Sequence, residues 1–306
     1  MIFTDTDRGR PFAKDPAVIR LNGVYYLYYS MAPRVPDPEQ AGWGIGVARS
    51  HNLQEWRKIG EVPAEQECEK KGICAPGAIV LNGQVHLFYQ TYGNGAKDAI
   101  CHAVSSDGVH FVKNVTNPVF SPTGAWNNGR AIDADVAVWN GKLFMYFATR
   151  DPGGKIQMQG VATAEMDSGF GRGAWKQACD RSILRPELAW EQDCIEAAAV
   201  CKREGKLYMF YGGAYNNCPQ QIGCAVSEDG VTWTRLFKEP FLPNGKPGTW
   251  NECESGHPFV FTDEDDRTYL FYQGNADKGQ SWYLSMTEIG WLDGIPYLKG
   301  ALHSGS

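Results

Sequence analysis

A five-bladed, all-β propeller with four antiparallel strands per blade is the fold this sequence predicts, and three observations predict it. First, a two-residue turn between apolar runs recurs at Asn22-Gly23, Asn82-Gly83, Asn140-Gly141, Glu204-Gly205 and Asp265-Asp266. Asn-Gly in that setting is a strong hairpin signal, because both turn residues take positive φ. Second, the second residues of these turns lie 60, 58, 64 and 61 positions apart, so one repeat fills the 306-residue chain. Third, aromatic residues make up 12% and glycine occurs 35 times, which suits many short strands joined by turns. Four strands in each of five units describe a propeller, expected as a single domain over residues 1–306. A pair of β-sandwiches explains the strands but not the near-constant period.

In unit one, strands on either side of Asn22-Gly23 run from Lys14 to Leu21 and from Val24 to Ser30. A Pro-rich loop follows, from Ala32 to Gly42, then strands from Gly44 to Ser50 and from Leu53 to Ile59. Unit two repeats the order with Ala78–Leu81, Val85–Tyr89, Ile100–Ser105 and, after Asp107-Gly108, Val109–Val112. Unit three has Val136–Trp139, Leu143–Ala148 and Met158–Thr163, with Trp175 marking its fourth strand. Unit four has Ala198–Cys201, Leu207–Tyr211, Ile222–Ser227 and, after Asp229-Gly230, Val231–Thr234. Unit five has Phe259–Phe261, Thr268–Tyr272 and Trp282–Met286. Trp56, Phe111 and Trp233 occupy one place in the fourth strands, where packing between neighbouring sheets explains them. The segment near Ile2 to Thr4 is expected to complete the last blade, closing the ring and removing sheet edges.

Net charge is −6 and no basic run occurs, which argues against nucleic acid or an anionic membrane as partner. No apolar run approaches the roughly 18 residues of a membrane span. The first eight residues, from Met1 to Arg8, carry no apolar signal region, so a cytoplasmic location is expected. Export with a signal outside this sequence is the alternative. The nine cysteines include no C-x-x-C pair, and most read as reduced core residues.

In a propeller the first strand of each blade lines the central channel, and the residue opening it sits at one mouth. Counting back eight from the second turn residue gives Asp15, Ala75, Asp133, Ala197 and Pro258. One extra hairpin residue in units four and five moves the last two to Glu196 and His257. The mouth then reads Asp15, Ala75, Asp133, Glu196, His257: three carboxylates and a histidine from separate blades. Like charges gathered there repel, and burial raises carboxylate pKa values. Their chemical use is a base that stays ionised beside an acid that stays protonated, the pair that glycosidic hydrolysis requires. Asp135 rivals Asp133, because strand alternation puts both on one face.

The stretches Lys14-Asp15-Pro16-Ala17-Val18, Cys74-Ala75-Pro76-Gly77-Ala78, Ala131-Ile132-Asp133-Ala134-Asp135 and Ile195-Glu196-Ala197 resemble the blade-opening motifs of glycoside hydrolase family 43. That group is related to the invertase-like and anhydro-galactosidase five-bladed families. The run from Val47 to Trp56 and Ser255-Gly256-His257-Pro258 resemble theirs too, so the likeness spans all five units, roughly residues 10 to 290. It implies Asp15 as the general base that activates water, Asp133 as the group that orients the acid and tunes its pKa, and Glu196 as the general acid. In inverting members the acid and base stand about 6.5–9.5 Å apart. It also implies His257 as a channel histidine that holds an ion, calcium or another, or an ordered water; no other cofactor is required. Ala134 and Ala197-Ala198 depart from the family's usual Pro and Gly-Pro, and Cys74 replaces a common aromatic. These departures bear on the sugar more than on the acid–base set.

Other residues compete for roles at the mouth. Arg130 suits a sugar hydroxyl or a channel carboxylate, against a surface ion pair. Trp43, Trp126, Trp190 and Trp250 lie in mouth loops and offer faces on which sugars stack, against plain blade packing. Glu252 and Glu254 extend the acidic mouth or solvate a loop, and a buried His257 beside Glu254 is a structural alternative to ion binding. Glu191, Asp193 and Glu204 rival Glu196. The expected activity is removal of a terminal non-reducing sugar, of the arabinofuranoside or xyloside class by family resemblance, from an oligosaccharide or glycoside, with inversion. The alternatives are a glycoside phosphorylase, with Arg130 and Arg150 as its phosphate cradle, and a non-catalytic carbohydrate-binding propeller.

Overall fold

The computed structural model describes residues 1–33 and 42–299. Most of the expected Pro-rich loop from Ala32 to Gly42 therefore lies outside the described residues. Each hairpin signal becomes the first two strands of one four-stranded antiparallel sheet, and the five sheets form a five-bladed propeller. Blade one holds β1 (Lys14–Leu21), β2 (Val24–Met31), β3 (Gly44–Ser50) and β4 (Arg57–Val62). Blade two holds β5 (Ile73–Leu81), β6 (Gln84–Thr91), β7 (Ile100–Ser105) and β8 (Val112–Lys113). Blade three holds β9 (Ile132–Trp139), β10 (Lys142–Arg150), β11 (Gln157–Glu165) and β12 (Lys176–Gln177). Blade four holds β13 (Ile195–Arg203), β14 (Lys206–Gly213), β15 (Gln221–Ser227) and β16 (Thr234–Arg235). Blade five holds β17 (Glu254–Thr262), β18 (Thr268–Asn275), β19 (Tyr283–Leu292) and β20 (Ile295–Leu298). The inner strands β1, β5, β9, β13 and β17 touch in that order, and β17 returns to β1.

The outer strands begin later than the sequence suggested. A turn occupies the positions before β4, with Leu53 at φ 64, and Trp56 donates its indole N–H to the Leu53 carbonyl at 3.0 Å. The aromatic marker thus sits just ahead of the fourth strand, where it packs edge-on against the preceding blade. Phe111 meets Tyr28 at 5.5 Å, Trp175 meets Phe88 at 5.7 Å and Trp233 meets Tyr146 at 5.6 Å, with interplanar angles of 81–87°. Trp56 meets Phe271 at 6.4 Å and Trp291 meets Tyr208 at 4.8 Å, which completes the circle. Edge-to-face pairs favour this geometry beyond the apolar area they bury.

The ring closes on blade five, and both chain ends take part. Ile2 donates its N–H to Leu284 at 2.8 Å and Phe3 bridges Leu284, as expected for the segment near Ile2 to Thr4. The regular fourth strand is nevertheless β20, from the C-terminal side. All nine cysteines are free, and five of them are buried.

Candidate active site

Every inner strand breaks its ladder near its start. Register shifts fall between Lys14 and Ala17, between Cys74 and Gly77, between Glu196 and Ala199, and between Gly256 and Phe259, with the matching shift in β9 opposite Tyr146 and Ala148. At each bulge one residue has positive φ: Asp15 (52°), Ala75 (46°), Asp133 (52°), Ala197 (54°) and His257 (40°). A bulge twists a strand and re-aims its side chains, so these five positions are the true repeat register at the mouth. Blade five does carry an extra hairpin residue, since Asp263 pairs across to Arg267 over three residues. Blade four does not: Arg203 faces Lys206 across the two-residue turn Glu204-Gly205. Its register residue is therefore Ala197, and Glu196 stands one position earlier, level with Lys14, Cys74 and Ile132. That position also faces the mouth, so the count was off by one while the residue still arrives there.

The bulged N–H groups cannot join the ladder, and a buried N–H needs an acceptor. Side chains from the preceding blade supply it. Asp15 N–H donates to Gln273 Oε1 at 2.9 Å, Ala75 to Ser30 Oγ at 2.7 Å, Asp133 to Gln90 Oε1 at 2.9 Å and His257 to Gln220 Oε1 at 2.8 Å. These bonds tie blade five to blade one, one to two, two to three and four to five around the mouth.

Above the bulges lies a cavity of about 330 Å³ whose lining includes Asp15, Asp133, Glu196, His257 and Arg130. The three carboxylates and the histidine are all buried. The Asp15 carboxylate accepts from the Ser30 hydroxyl and from His257 Nδ1, the latter at 3.0 Å. Burial pulls the His257 pKa down, against the opposing pull of Asp15 and Glu196, so its ring is neutral with Nδ1–H on the carboxylate. Glu196 accepts from three amides: Gln157 Nε2, Gln220 Nε2 at 2.6 Å and Asn216 Nδ2 at 3.2 Å. The Asp133 carboxyl has no hydrogen bond among the described residues. Burial, then the charges of Glu196 and Asp15, push its pKa well above the usual carboxylate range. One proton of the trio therefore rests on Asp133.

Lys14 lines the same cavity, donates to Asn216 Oδ1 at 2.6 Å, and lies 4.5 Å from the ring centre of Trp282 and 5.5 Å from that of Trp43. Burial disfavours its charge, but Asp15, Glu254 and Glu196 outweigh that and raise its pKa. The sequence offered one signal for it: a lysine directly before the first blade's register residue.

The remaining expectations divide. Trp126 and Trp190 are not among the residues lining the cavity. Trp126 packs into the core of blade three, and Trp190 stacks on Tyr211 at 6.1 Å with its indole N–H on the Lys238 carbonyl. Both are blade packing, because the neighbouring Gly160 and Gly213 leave room for an indole where a side chain would otherwise stand. Trp43, Tyr92 and Tyr215 supply the mouth's aromatic surface instead, with Trp43 and Tyr92 5.2 Å apart. Trp250 packs on Tyr272. Tyr92 and Tyr215 sit just past β6 and β14, in segments with no motif to mark them.

Glu254 is fully buried behind the cavity rather than in it. It accepts from Gln273 Nε2 and from the Asn217 N–H, both at 2.7 Å, and burial pushes its pKa up to about 7. It thus supports Gln273, which holds the Asp15 backbone. Asp135 faces the channel interior and accepts the Val200 N–H at 2.7 Å, away from the cavity lining. Glu191 is a structural carboxylate, held by Tyr211 at 2.8 Å and Arg235 at 2.8 Å. Asp193 is exposed beside Lys155, and Glu204 is a hairpin turn residue. Among the described residues no three His, Cys, Asp or Glu side chains are placed to hold a metal ion, and His257 Nδ1 is taken by Asp15. The donor set therefore does not fit the expected channel ion. A wider groove outside blade one, near Trp56, also gathers Asp5, Asp7 and Glu61, but Lys58 bridges all three at 2.9–3.0 Å.

Comparison with known proteins follows the same lines. The model of the family described as "Glycosyl hydrolases family 43" matches residues 9–296. A 1,2-beta-oligomannan phosphorylase of Thermoanaerobacter sp. (strain X514) is 24% identical over 223 residues, 70% of this chain and 68% of that one. A beta-1,2-mannobiose phosphorylase of the same organism is 29% identical over 136 residues, 40% of this chain and 43% of that one. A thermostable family-43 glycoside hydrolase superposes with a TM-score of 0.75 at 22% identity, covering 97% of this chain and 96% of that one. An alpha-L-arabinofuranosidase from Lactobacillus brevis superposes at 0.69 with 18% identity, covering 93% and 94%. At such identities the structural likeness is one of fold.

Proposed function

This chain belongs to glycosyl hydrolase family 43, and from that premise we propose that it hydrolyses a terminal non-reducing sugar from a glycoside, with inversion. The observation that carries the proposal is the meeting of Asp15, Asp133 and Glu196, from three blades, in one small cavity. Asp15, oriented by Ser30 and His257, takes the proton of the attacking water. The proton that rests on Asp133 in the free site passes to Glu196, which gives it to the leaving oxygen, so the trio never has to carry three negative charges before cleavage. Trp43 and Tyr92 offer the sugar a stacking face at the rim. A cavity of about 330 Å³ suits one or two sugar units rather than a polymer laid across the mouth. The arabinofuranoside or xyloside class rests on family membership alone.

A panel of aryl glycosides tests this, run on the wild type, Glu196→Gln and Asp133→Asn. An acid is dispensable when the leaving group is already a good anion. Glu196→Gln is expected to keep much of its activity on dinitrophenyl glycosides and lose it on poorly activated ones, whereas Asp133→Asn loses both. The reverse pattern would make Asp133 the acid, a second reading favoured by its protonated, unbonded carboxyl. No cleavage of any glycoside by the wild type, with or without phosphate, would reject the enzyme reading. Transfer to phosphate instead of water is favoured by one observation: the curated relatives named above are phosphorylases.

A further inference from the structure

Three side-chain amides face Glu196, and each could turn its oxygen to the carboxyl instead. In each the oxygen is claimed by a group that can only donate, so the NH2 is what Glu196 meets. Gln157 Oε1 takes Arg150 Nε at 3.1 Å, Gln220 Oε1 takes the His257 N–H at 2.8 Å and Asn216 Oδ1 takes Lys14 Nζ at 2.6 Å. The two glutamines are fully buried, and Gln220 Nε2 is steadied further by the Ala214 carbonyl at 2.9 Å. Asn216 is different. It stands half-buried in the turn after β14, and among the described residues its side chain has only Lys14 and Glu196 as partners. Lys14 reaches it from blade one, its ammonium over the indoles of Trp282 and Trp43, and Phe12 meets both rings edge-on at 6.5 and 5.4 Å. The stem is thereby held in an aromatic slot, and the cation gains from both ring faces. Asn216 turned round would set its NH2 against the ammonium, donor against donor.

We propose that Lys14 is a positioning residue for the proton donor, acting through Asn216. The inference rests on the reading of Glu196 as the acid. Each carboxyl oxygen has two lone pairs in the carboxyl plane, and Gln220 Nε2 at 2.6 Å with Asn216 Nδ2 at 3.2 Å engages both on Oε1. The proton that Glu196 receives then has only Oε2 to occupy, so it is presented to the leaving oxygen from one atom and in one direction. Without the ammonium the Asn216 amide turns freely and a lone pair on Oε1 opens. The proton then divides between two oxygens, one of which is misaimed.

The test measures kcat and KM on aryl glycosides of graded leaving-group acidity, for the wild type, Lys14→Met, Asn216→Ala and the double variant. Methionine keeps an unbranched stem between the indoles, and thermal midpoints confirm that the variants fold. A misaimed proton matters least when the leaving group is already a good anion. The ratio of kcat on dinitrophenyl to kcat on poorly activated glycosides is therefore expected to rise about tenfold in Lys14→Met, the worth of one positioned hydrogen bond, with KM little changed. Asn216→Ala should raise it as much and the double variant no further, because the two residues act along one path. A ratio unmoved in Lys14→Met, with any loss common to all leaving groups, overturns the inference, as does a double variant whose ratio multiplies the two single effects. An Asn216→Ala enzyme with the wild-type ratio overturns it even where Lys14→Met does not fold. A second readout needs no turnover: the side-chain amide signal of Asn216 in isotope-labelled protein, followed by proton–nitrogen NMR and assigned by its loss in Asn216→Ala. It is expected to move in both Lys14→Met and Glu196→Gln, and a signal that ignores Lys14→Met overturns the inference. A responsive signal in a protein that cleaves no glycoside would overturn the proposed function and leave the chain of contacts from Lys14 to Glu196 standing.

Discussion

Asp15→Asn separates chemistry from folding at this site. Asp15 holds φ at 52°, a left-handed conformation that Asn adopts more readily than most residues, so the bulge survives. Its backbone bond to Gln273 is untouched, and the amide oxygen still accepts from His257 Nδ1 at 3.0 Å. The change falls on Ser30, whose hydroxyl donates to the carboxylate and accepts the Ala75 N–H at 2.7 Å. An Asn amide group turned towards that hydroxyl makes it an acceptor twice over, which two lone pairs allow. The folding cost is then about one neutral hydrogen bond, ~1 kcal/mol. The catalytic cost is that of a missing base, about 10²–10⁴-fold, or about 3–5 kcal/mol of activation free energy. The assay is kcat/KM on the best-cleaved aryl glycoside, with thermal unfolding measured in parallel. A folded Asp15→Asn enzyme within about threefold of wild type would refute the general-base assignment, since no positioned base contributes so little.

Ser30→Ala should cost more stability than Asp15→Asn, about 1–3 kcal/mol, because it strands the buried Ala75 N–H; chemical denaturation reads this directly. Gly77→Ala is expected to destabilise by roughly 1–3 kcal/mol or more, since its Cβ would stand 2.1 Å from the Ala134 carbonyl oxygen of the next blade; an unchanged melting temperature would show that the inner strands can part freely. Stability should also fall as pH rises from about 5 to 7. Burial pushes Asp135 and Glu254 up to about 7, so the folded state keeps protons that the unfolded chain releases near pH 4. Each group then contributes stability below its unfolded pKa that is lost through this window, of order 3 kcal/mol at full extent. Asp135→Asn, which keeps an acceptor for the Val200 N–H, should flatten the pH profile of the thermal midpoint; an unaltered slope would mean that Asp135 is ionised in the folded protein.

The local signals were the legible ones. Asn-Gly pairs, alternating apolar runs and their spacing are properties of a few consecutive residues, and they placed the inner three strands of nearly every blade. The short outer strands were misplaced by several residues because Trp56, Phe111 and Trp233 look like strand residues. They owe their position to partners in the preceding blade, more than 80 residues away for Phe111 and Tyr28 and for Trp233 and Tyr146. Trp126 and Trp190 were indistinguishable from sugar-binding residues for the same reason: only the glycines beside them show that they are packed.

The sequence by itself determined the five hairpins, their closure into a ring, and the three carboxylates and histidine that reach its mouth. Those follow from periodicity, which the backbone geometry of a strand carries along the chain. The tertiary structure alone decided how these residues act together. It put Ala197 in the repeat register and Glu196 one place before it, paired His257 with Asp15, and kept a proton on Asp133. It also brought Lys14 to the same cavity and withdrew Glu254 from it. The direction of a side chain depends on where its strand bulges, and its charge depends on what other blades bury beside it. Both are settled only when the ring closes.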